Sequence, residues 1–302
     1  MHILMSGGTG LLGQRLTRYL IAEGHAVTIL TRNPDKFNGV PAGARLAWWD
    51  AVSTDGWLDE METADVVVHL AGTSLADGRW TDERKQLIRD SRVQSGLALV
   101  SAIKQSENRH AALIQASAVG YYGPRKDEVI DESNGPGSDF LAHVCFEWEA
   151  ATAPVEKLGV RRAVARTGIV LSKDGGALPR MLLPFKMFAG GKIGSGNQWW
   201  PWIHVEDEIR ALQFLIVNSD ASGPFNLTAP NPVTNKEFAK TLGSVMGKPS
   251  VFPVPAPALG AAFGEMSTVL LDGQRAVPRH LTECGFEFKF PELEGALKDL
   301  LA

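Results

Sequence analysis

His2-Ile3-Leu4-Met5-Ser6-Gly7-Gly8-Thr9-Gly10-Leu11-Leu12-Gly13 decides the fold of this chain. A buried-strand pattern runs directly into a G-x-x-G-x-x-G turn, and a helical stretch follows with Leu12, Leu16, Tyr19 and Leu20 on its inner face. Glycines at such a turn let the chain reverse tightly, let a ligand approach the backbone, and let the helix pack closely on the strand. The free N–H groups at the helix start then attract an anion. A plain strand-to-helix turn would carry the same glycines. A second strand, Ala26–Thr31, follows the helix and places them inside a β-α-β unit, the setting of a dinucleotide pyrophosphate. The expected cofactor contacts from this loop are Gly7, Thr9, Gly10, Leu11, Leu12 and Gly13.

Outward from the loop, short apolar runs alternate with helical stretches. Residues 46–49, 65–70, 112–116 and 161–166 read as strands, and 81–105 and 140–158 as helices. Near-continuous apolar strands separated by helices of this length predict an α/β fold, a Rossmann-type doubly wound parallel sheet covered on both faces. Beyond about residue 170, Gly- and Pro-containing loops dominate, broken by helical patterns near 206–218, 235–246 and 292–301. The expected division is a Rossmann domain over 1–170, rejoined by a segment at about 200–228, and a smaller C-terminal α+β lobe over 171–302 on the substrate side.

The end of the second strand selects the dinucleotide. An NAD site places Asp or Glu there for the ribose hydroxyls, whereas this chain has Thr31-Arg32-Asn33. A guanidinium clamps a 2′-phosphate through paired charge-assisted hydrogen bonds, so NADP(H) is the expected cofactor, with Thr31 and Arg32 as its contacts. Trp48-Trp49-Asp50 ends the third strand, where Asp50 is expected at the adenine amino group beside an aromatic wall. Leu70, Ala71 and Gly72 end the fourth, small enough for backbone to lie along the cofactor ribose.

The bulk numbers narrow the class. The 302 residues are 44% hydrophobic and 21% charged, which excludes a disordered chain or a fibre. A formal net charge of −4 without a basic run argues against nucleic acid as partner. No apolar stretch is long enough to cross a bilayer, and the N-terminus lacks the marks of a signal peptide, so a soluble cytoplasmic protein is expected. Cys145 and Cys284 lie far apart without metal-ligand spacing, and no metal is expected. A small-molecule substrate is the expected partner, and a homodimer is left open.

These residues resemble the extended short-chain dehydrogenase/reductases, as do Trp202-Ile203-His204-Val205-Glu206-Asp207 and Gly223-Pro224-Phe225-Asn226. A closer likeness covers essentially the whole chain. It rests on Arg79-Trp80-Thr81, Gly120-Tyr121-Tyr122-Gly123, Trp148-Glu149, Arg166-Thr167-Gly168-Ile169-Val170-Leu171, Gly190 to Gly196 and Leu271-Asp272-Gly273-Gln274-Arg275. These are similar to the "epimerase family" of atypical members, whose C-terminal segment is a domain of unknown function. Members are often labelled nucleoside-diphosphate-sugar epimerases, and the family substrate is not established.

The resemblance implies a Tyr-x-x-x-Lys pair on the helix after the fifth strand, and this chain lacks it. Anchoring on Glu149 puts Leu141 and Cys145 at those positions, and a shift of one puts Phe140 and Val144 there. Cys145 is then expected to face the nicotinamide ribose as a packing contact, with a reactive thiol as the alternative. Hydroxyls cluster instead at the neighbouring strand end, so Ser117 and Tyr121 are the candidate proton donors, with Tyr122 nearby. Packing is the competing reading for the tyrosines, for Trp80 and for the 199–202 aromatics, and His204 reads as structural. Arg166 either binds an anionic substrate or pairs with a carboxylate. Arg92, where extended members commonly carry Asn, either reaches the cofactor or pairs with Asp90 or Glu83. The expected function is an NADP(H)-dependent oxidoreductase on a carbonyl or alcohol. The alternatives are an epimerase-like isomerase and a non-catalytic NADP(H) sensor or scaffold.

Overall fold

The computed structural model describes residues 1–36, 39–108 and 110–302. β1 (His2–Ser6), α1 (Leu11–Ala22), β2 (Ala26–Thr31) and β3 (Arg45–Trp48) open the chain. A short α2 (Leu58–Glu62) leads to β4 (Val66–His69), α3 (Asp82–Gln105), β5 (Ala112–Ala118) and α4 (Phe140–Thr152). Strands Arg161–Thr167 and Gly223–Leu227 complete a seven-stranded sheet in which every pairing is parallel. Its order is Gly223–Leu227, Arg161–Thr167, β5, β4, β1, β2, β3. The chain winds outward from β1 to β3 and restarts at β4 on the other side of β1. That reversal opens a crevice above the carboxyl ends of β1 and β4, where doubly wound sheets hold ligands.

Alternation along the strands sorts side chains onto two covered faces. Ile3, Met5, Ile29, Val68 and Ile114 pack with Leu16 and Leu20 of α1 and with Leu212 and Leu215 of helix Val205–Val217. Leu4, Leu30, Val67 and Leu113 face the opposite way, onto Ala98, Leu99 and Ala102 of α3. Each fully buried Leu or Ile contributes roughly 1.5–3 kcal/mol, so both helical layers are held by the strand pattern itself. Thr81 caps α3 by accepting the Arg84 N–H at 3.2 Å, and Asp82 and Glu83 favour its positive end. The helix expected over 140–158 stops as α at Thr152. Pro154 has no N–H to continue it, and a 3-10 stretch, Ala153–Leu158, carries the chain on to Gly159 at φ +79°. Among the described residues no helix is long and apolar enough to cross a membrane.

A further cluster joins helices Leu178–Lys186, Asn235–Met246 and Leu293–Leu301 around Trp200 and Trp202. From this C-terminal part, helix Ala256–Phe263 and the turns after it reach back to the start of α3. Arg79 donates to the Ala261 carbonyl, and Lys85 pairs with Glu265.

Glu208 sits wholly buried under the sheet, accepting the Thr167 hydroxyl at 2.8 Å, while its other oxygen has no partner among the described residues. Burial pushes its carboxyl up to about 8. An unfolded Glu ionises near ~4.3, so between roughly pH 4.5 and 8 the fold keeps a proton that the unfolded chain has released. Stability therefore falls as pH rises through that window. Glu208→Gln keeps the neutral shape and is expected to flatten the decline by roughly 3–5 kcal/mol, measured by denaturant unfolding at either end of the window. The same pH dependence in both proteins would mean that Glu208 is ionised in the fold.

Candidate functional site

Three glycines at the end of β1 have separate causes. Gly7 has φ +75°, and a Cβ there would fall 2.5 Å from the Leu70 carbonyl carbon; at Gly13 it would fall 2.3 Å from the Gly7 oxygen. The protein's own packing requires these two. Gly10 has an ordinary φ of −79°, and an added Cβ would meet only the Gly7 oxygen at 3.3 Å. Gly10 N-caps α1 with no side-chain hydrogen bond, and the first turn carries no acid. The first N–H groups, at Leu11 and Leu12, thus face an open cradle beside Thr9 and Gly10, which fits a phosphate pair.

Beside it, Arg32 is exposed after β2 and makes no ion pair among the described residues. Thr31 pairs in register with Trp48, which is 46% exposed. Trp49 turns inward and packs edge-on against Trp57, so Trp48 alone offers an aromatic wall. Asp50 also closes a turn of its own: its carboxylate accepts the Val52 and Ser53 N–H groups and the Ser53 hydroxyl, each at 2.8 Å, which leaves one acceptor position on Oδ2.

On the far side of the cradle, Leu70 and Ala71 lie against Gly7. Gly72 rests on the Arg92 guanidinium, since a Cβ there would fall 3.0 Å from its Cζ. Arg92 makes neither of the surface pairs considered from sequence, and Asp90 pairs with Arg89 instead.

A buried polar row crosses the sheet next to this cleft. Ser117, Arg166 and Asn226 are in register on three neighbouring strands and so share one face, the face covered by α4. Glu149 of α4 supplies the carboxylate. It accepts Arg166 Nε at 2.9 Å and Nη2 at 2.8 Å, and the Ser117 hydroxyl at 2.7 Å. Arg166 Nη1 donates to the Tyr122 hydroxyl at 3.0 Å, which donates to Asn226 Oδ1 at 2.7 Å. Burial alone would lower the Arg166 pKa, but the Glu149 carboxylate overrides it and holds the guanidinium charged. Burial pushes the Tyr122 phenol up to about 12, partly offset by Arg166. Of the two sequence readings for Arg166, the carboxylate pair is the one the structure takes.

This network revises Ser117 and decides between the two readings of Cys145. Ser117 is 4% exposed and its proton points at Glu149, so it braces the network rather than meeting a substrate. Cys145 is buried with Val119, Tyr122 and Ile130, and burial, reinforced by the Glu149 charge, pushes its thiol up to about 12. It is a packing residue, and the thiolate alternative fails. Tyr121 remains. It is 9% exposed and its ring packs in the same cluster as Cys145, 3.6 Å from the Arg166 guanidinium and edge-on to Tyr122, but its hydroxyl makes no hydrogen bond among the described residues. Gly120 beside it packs on Leu141, so Tyr121 stands next to the position where the resemblance implied a tyrosine.

The aromatics divide. Trp80 packs on Phe140, Trp200 and Trp202 fill core, and Trp199 lies nearer the surface, donating to Asp127 under the Arg275 guanidinium. His204 caps helix Val205–Val217 and stacks on Phe290. His69, at the end of β4, was missed from sequence. Trp148 Nε1 donates to its Nε2 at 3.2 Å and its Nδ1 faces the Ser6 hydroxyl at 2.8 Å, which places the ring proton on Nδ1. Burial lowers its pKa to about 4, so the imidazole is neutral. A histidine ending an all-apolar strand was the available signal. The partners of Glu149 and Asn226 left no such mark.

Comparisons with known proteins bear on the family and the fold. Residues 3–228 match the model of the NAD dependent epimerase/dehydratase family, and residues 254–300 match a domain of unknown function, DUF1731. The chain is 41% identical to Epimerase family protein YfhF of Bacillus subtilis, across all of this chain and 98% of that protein. It is 40% identical to the chloroplastic Epimerase family protein SDR39U1 homolog of Arabidopsis thaliana, across all of this chain and 87% of that one. The crystal structure of human epimerase family protein SDR39U1 with NADPH aligns with a TM-score of 0.88 at 34% identity over 99% of both chains. Sequence, fold and relatives converge, and the chain belongs to the NAD dependent epimerase/dehydratase family, with a DUF1731 segment at its C-terminal end.

Proposed function

We propose that this protein binds NADP(H) across the crevice above β1 and β4 and acts as an oxidoreductase on a carbonyl or alcohol, with Tyr121 as proton donor. The observation that carries the reading is the open cradle at Gly10 beneath the uncapped start of α1, flanked by Arg32 where an acid would select NAD. The NADPH held by the human relative supports the same choice. Bound there, the cofactor supplies hydride transfer. The chain's own residues do the rest. Arg32 holds the 2′-phosphate, α1 holds the pyrophosphate, and Leu70 to Gly72 bound the nicotinamide ribose. Arg166 fixes the Tyr121 ring by a cation–π contact, so that its hydroxyl delivers the proton a carbonyl oxygen takes up. Ser117 and Glu149 hold Arg166 in place.

Arg32→Ala is expected to weaken NADPH by about 1.5–3 kcal/mol, the scale of a charged hydrogen bond, and to leave NADH nearly unchanged. Fluorescence titration with each nucleotide measures this, and equal losses would remove Arg32 from the 2′-phosphate. The reaction is tested by following oxidation of NADPH across a panel of aldehydes and ketones. The commitment of Ser117 and Tyr122 to the buried network favours a second reading, an NADP(H)-responsive binding protein without turnover. Tight binding with no turnover across the panel would select it.

A further inference from the structure

Among the described residues, Arg92 is a cation with no carboxylate beside it. Its guanidinium lies against Gly72, 5.1 Å from the centre of the Trp148 ring, and most of its N–H donors are unspent. Among the described residues the guanidinium's only hydrogen bond runs from Nη1 to the Ile88 carbonyl at 2.9 Å, within its own helix, and it meets no carboxylate. Burial lowers its pKa, and of the charged groups around it Arg84 lowers it further. The other titratable neighbours are neutral. The Cys145 thiol is kept protonated by burial, and the His69 imidazole is kept uncharged by burial and by Arg92 itself. Arginine nonetheless stays charged in proteins, so a fixed positive charge stands in this half-buried position.

Its place relative to the cofactor follows from the proposed NADP(H) site, on which the inference rests. With Arg32 at the adenosine end after β2 and the phosphates at α1 beside β1, the remaining end of the dinucleotide falls beyond β1, over β4 and β5. Gly72 and Tyr121 lie at that end. The oxidised nicotinamide ring carries a positive charge and the reduced ring carries none. A fixed cation at close range therefore penalises one form and spares the other, and the low local dielectric makes the penalty larger than in water.

We propose that Arg92 is a redox-state selector, an unpaired cation at the nicotinamide end of the cleft that makes the protein hold NADPH in preference to NADP+. A site with this preference is loaded with hydride donor and runs toward reduction of a carbonyl. Arg92 also draws on the phosphates of both forms, and that attraction cancels when the two affinities are compared.

Calorimetric titration of the purified protein with NADPH and with NADP+ tests this without any substrate. The wild type is expected to bind NADPH about tenfold or more tightly than NADP+, the scale of two unit charges several ångströms apart in a half-buried site. Arg92→Gln should bring the two affinities to within about threefold of each other, and Arg92→Lys, which keeps the charge, should retain most of the gap. Equal wild-type affinity for both forms overturns the inference even if Arg92→Gln fails to fold. So does an Arg92→Gln protein that loses both nucleotides equally and keeps the ratio. No binding of either form by the wild type would remove the site reading, and the inference with it.

Discussion

Gly10→Val is expected to weaken NADPH binding at least about a hundredfold, because a side chain there fills the space through which the pyrophosphate approaches the backbone. The fold should survive. The backbone at Gly10 has φ −79° and ψ 175°, a region open to any residue, and the new Cβ would meet only the Gly7 oxygen at 3.3 Å. Gly13→Val is the contrast, since its Cβ would fall 2.3 Å from the Gly7 oxygen and 2.5 Å from the Gly8 Cα. That variant should lose stability as well as binding, because helix and strand can no longer pack. Denaturant unfolding and NADPH titration on both variants separate the two effects. Unaltered NADPH affinity in Gly10→Val would show that the glycine loop is only a turn.

The second large effect is expected at Tyr121. Once a substrate is in hand, Tyr121→Phe should lower turnover by about a hundredfold or more, the range for losing a positioned acid, with NADPH affinity kept. The ring stays stacked on Arg166, so what is lost is the hydroxyl alone. Cys145→Ala should keep turnover within a few-fold, because a buried thiol at about 12 supplies no nucleophile or base near neutrality. Ser117→Ala should act through the network instead, by removing one of the hydrogen bonds that hold Glu149. Loss of turnover in Cys145→Ala with Tyr121→Phe near wild type would move the chemistry onto α4 and require a thiolate.

The sheet was legible because its signals are local. The glycine loop and the apolar strands are each written within a few residues. Pro154 marked the end of α4 as plainly, although the sequence reading carried that helix through to residue 158. The polar row was not legible, because its members come from three strands and a helix. Ser117, Arg166 and Asn226 share a face only once the strand register is known, and Glu149 completes them only once α4 is docked. Arg92 stayed open between the cofactor and an acid for the same reason. Its sequence neighbours offered acids, but packing of α3 against α4 turned it onto Gly72 and Trp148. At Asp50 a turn of its own competed for the carboxylate, a local partner that Ser53 already announced in the sequence.

The glycine cradle and the exposed arginine beside it together make the proposed site for NADP(H). Titration of the wild-type protein with NADPH and with NADH, in one buffer and at one salt concentration, tests it most directly. One NADPH per chain is expected, with NADH weaker by roughly ten- to a hundredfold, the contribution of charged hydrogen bonds to the 2′-phosphate. Equal affinity for the two nucleotides, or tighter binding of NADH, would contradict it.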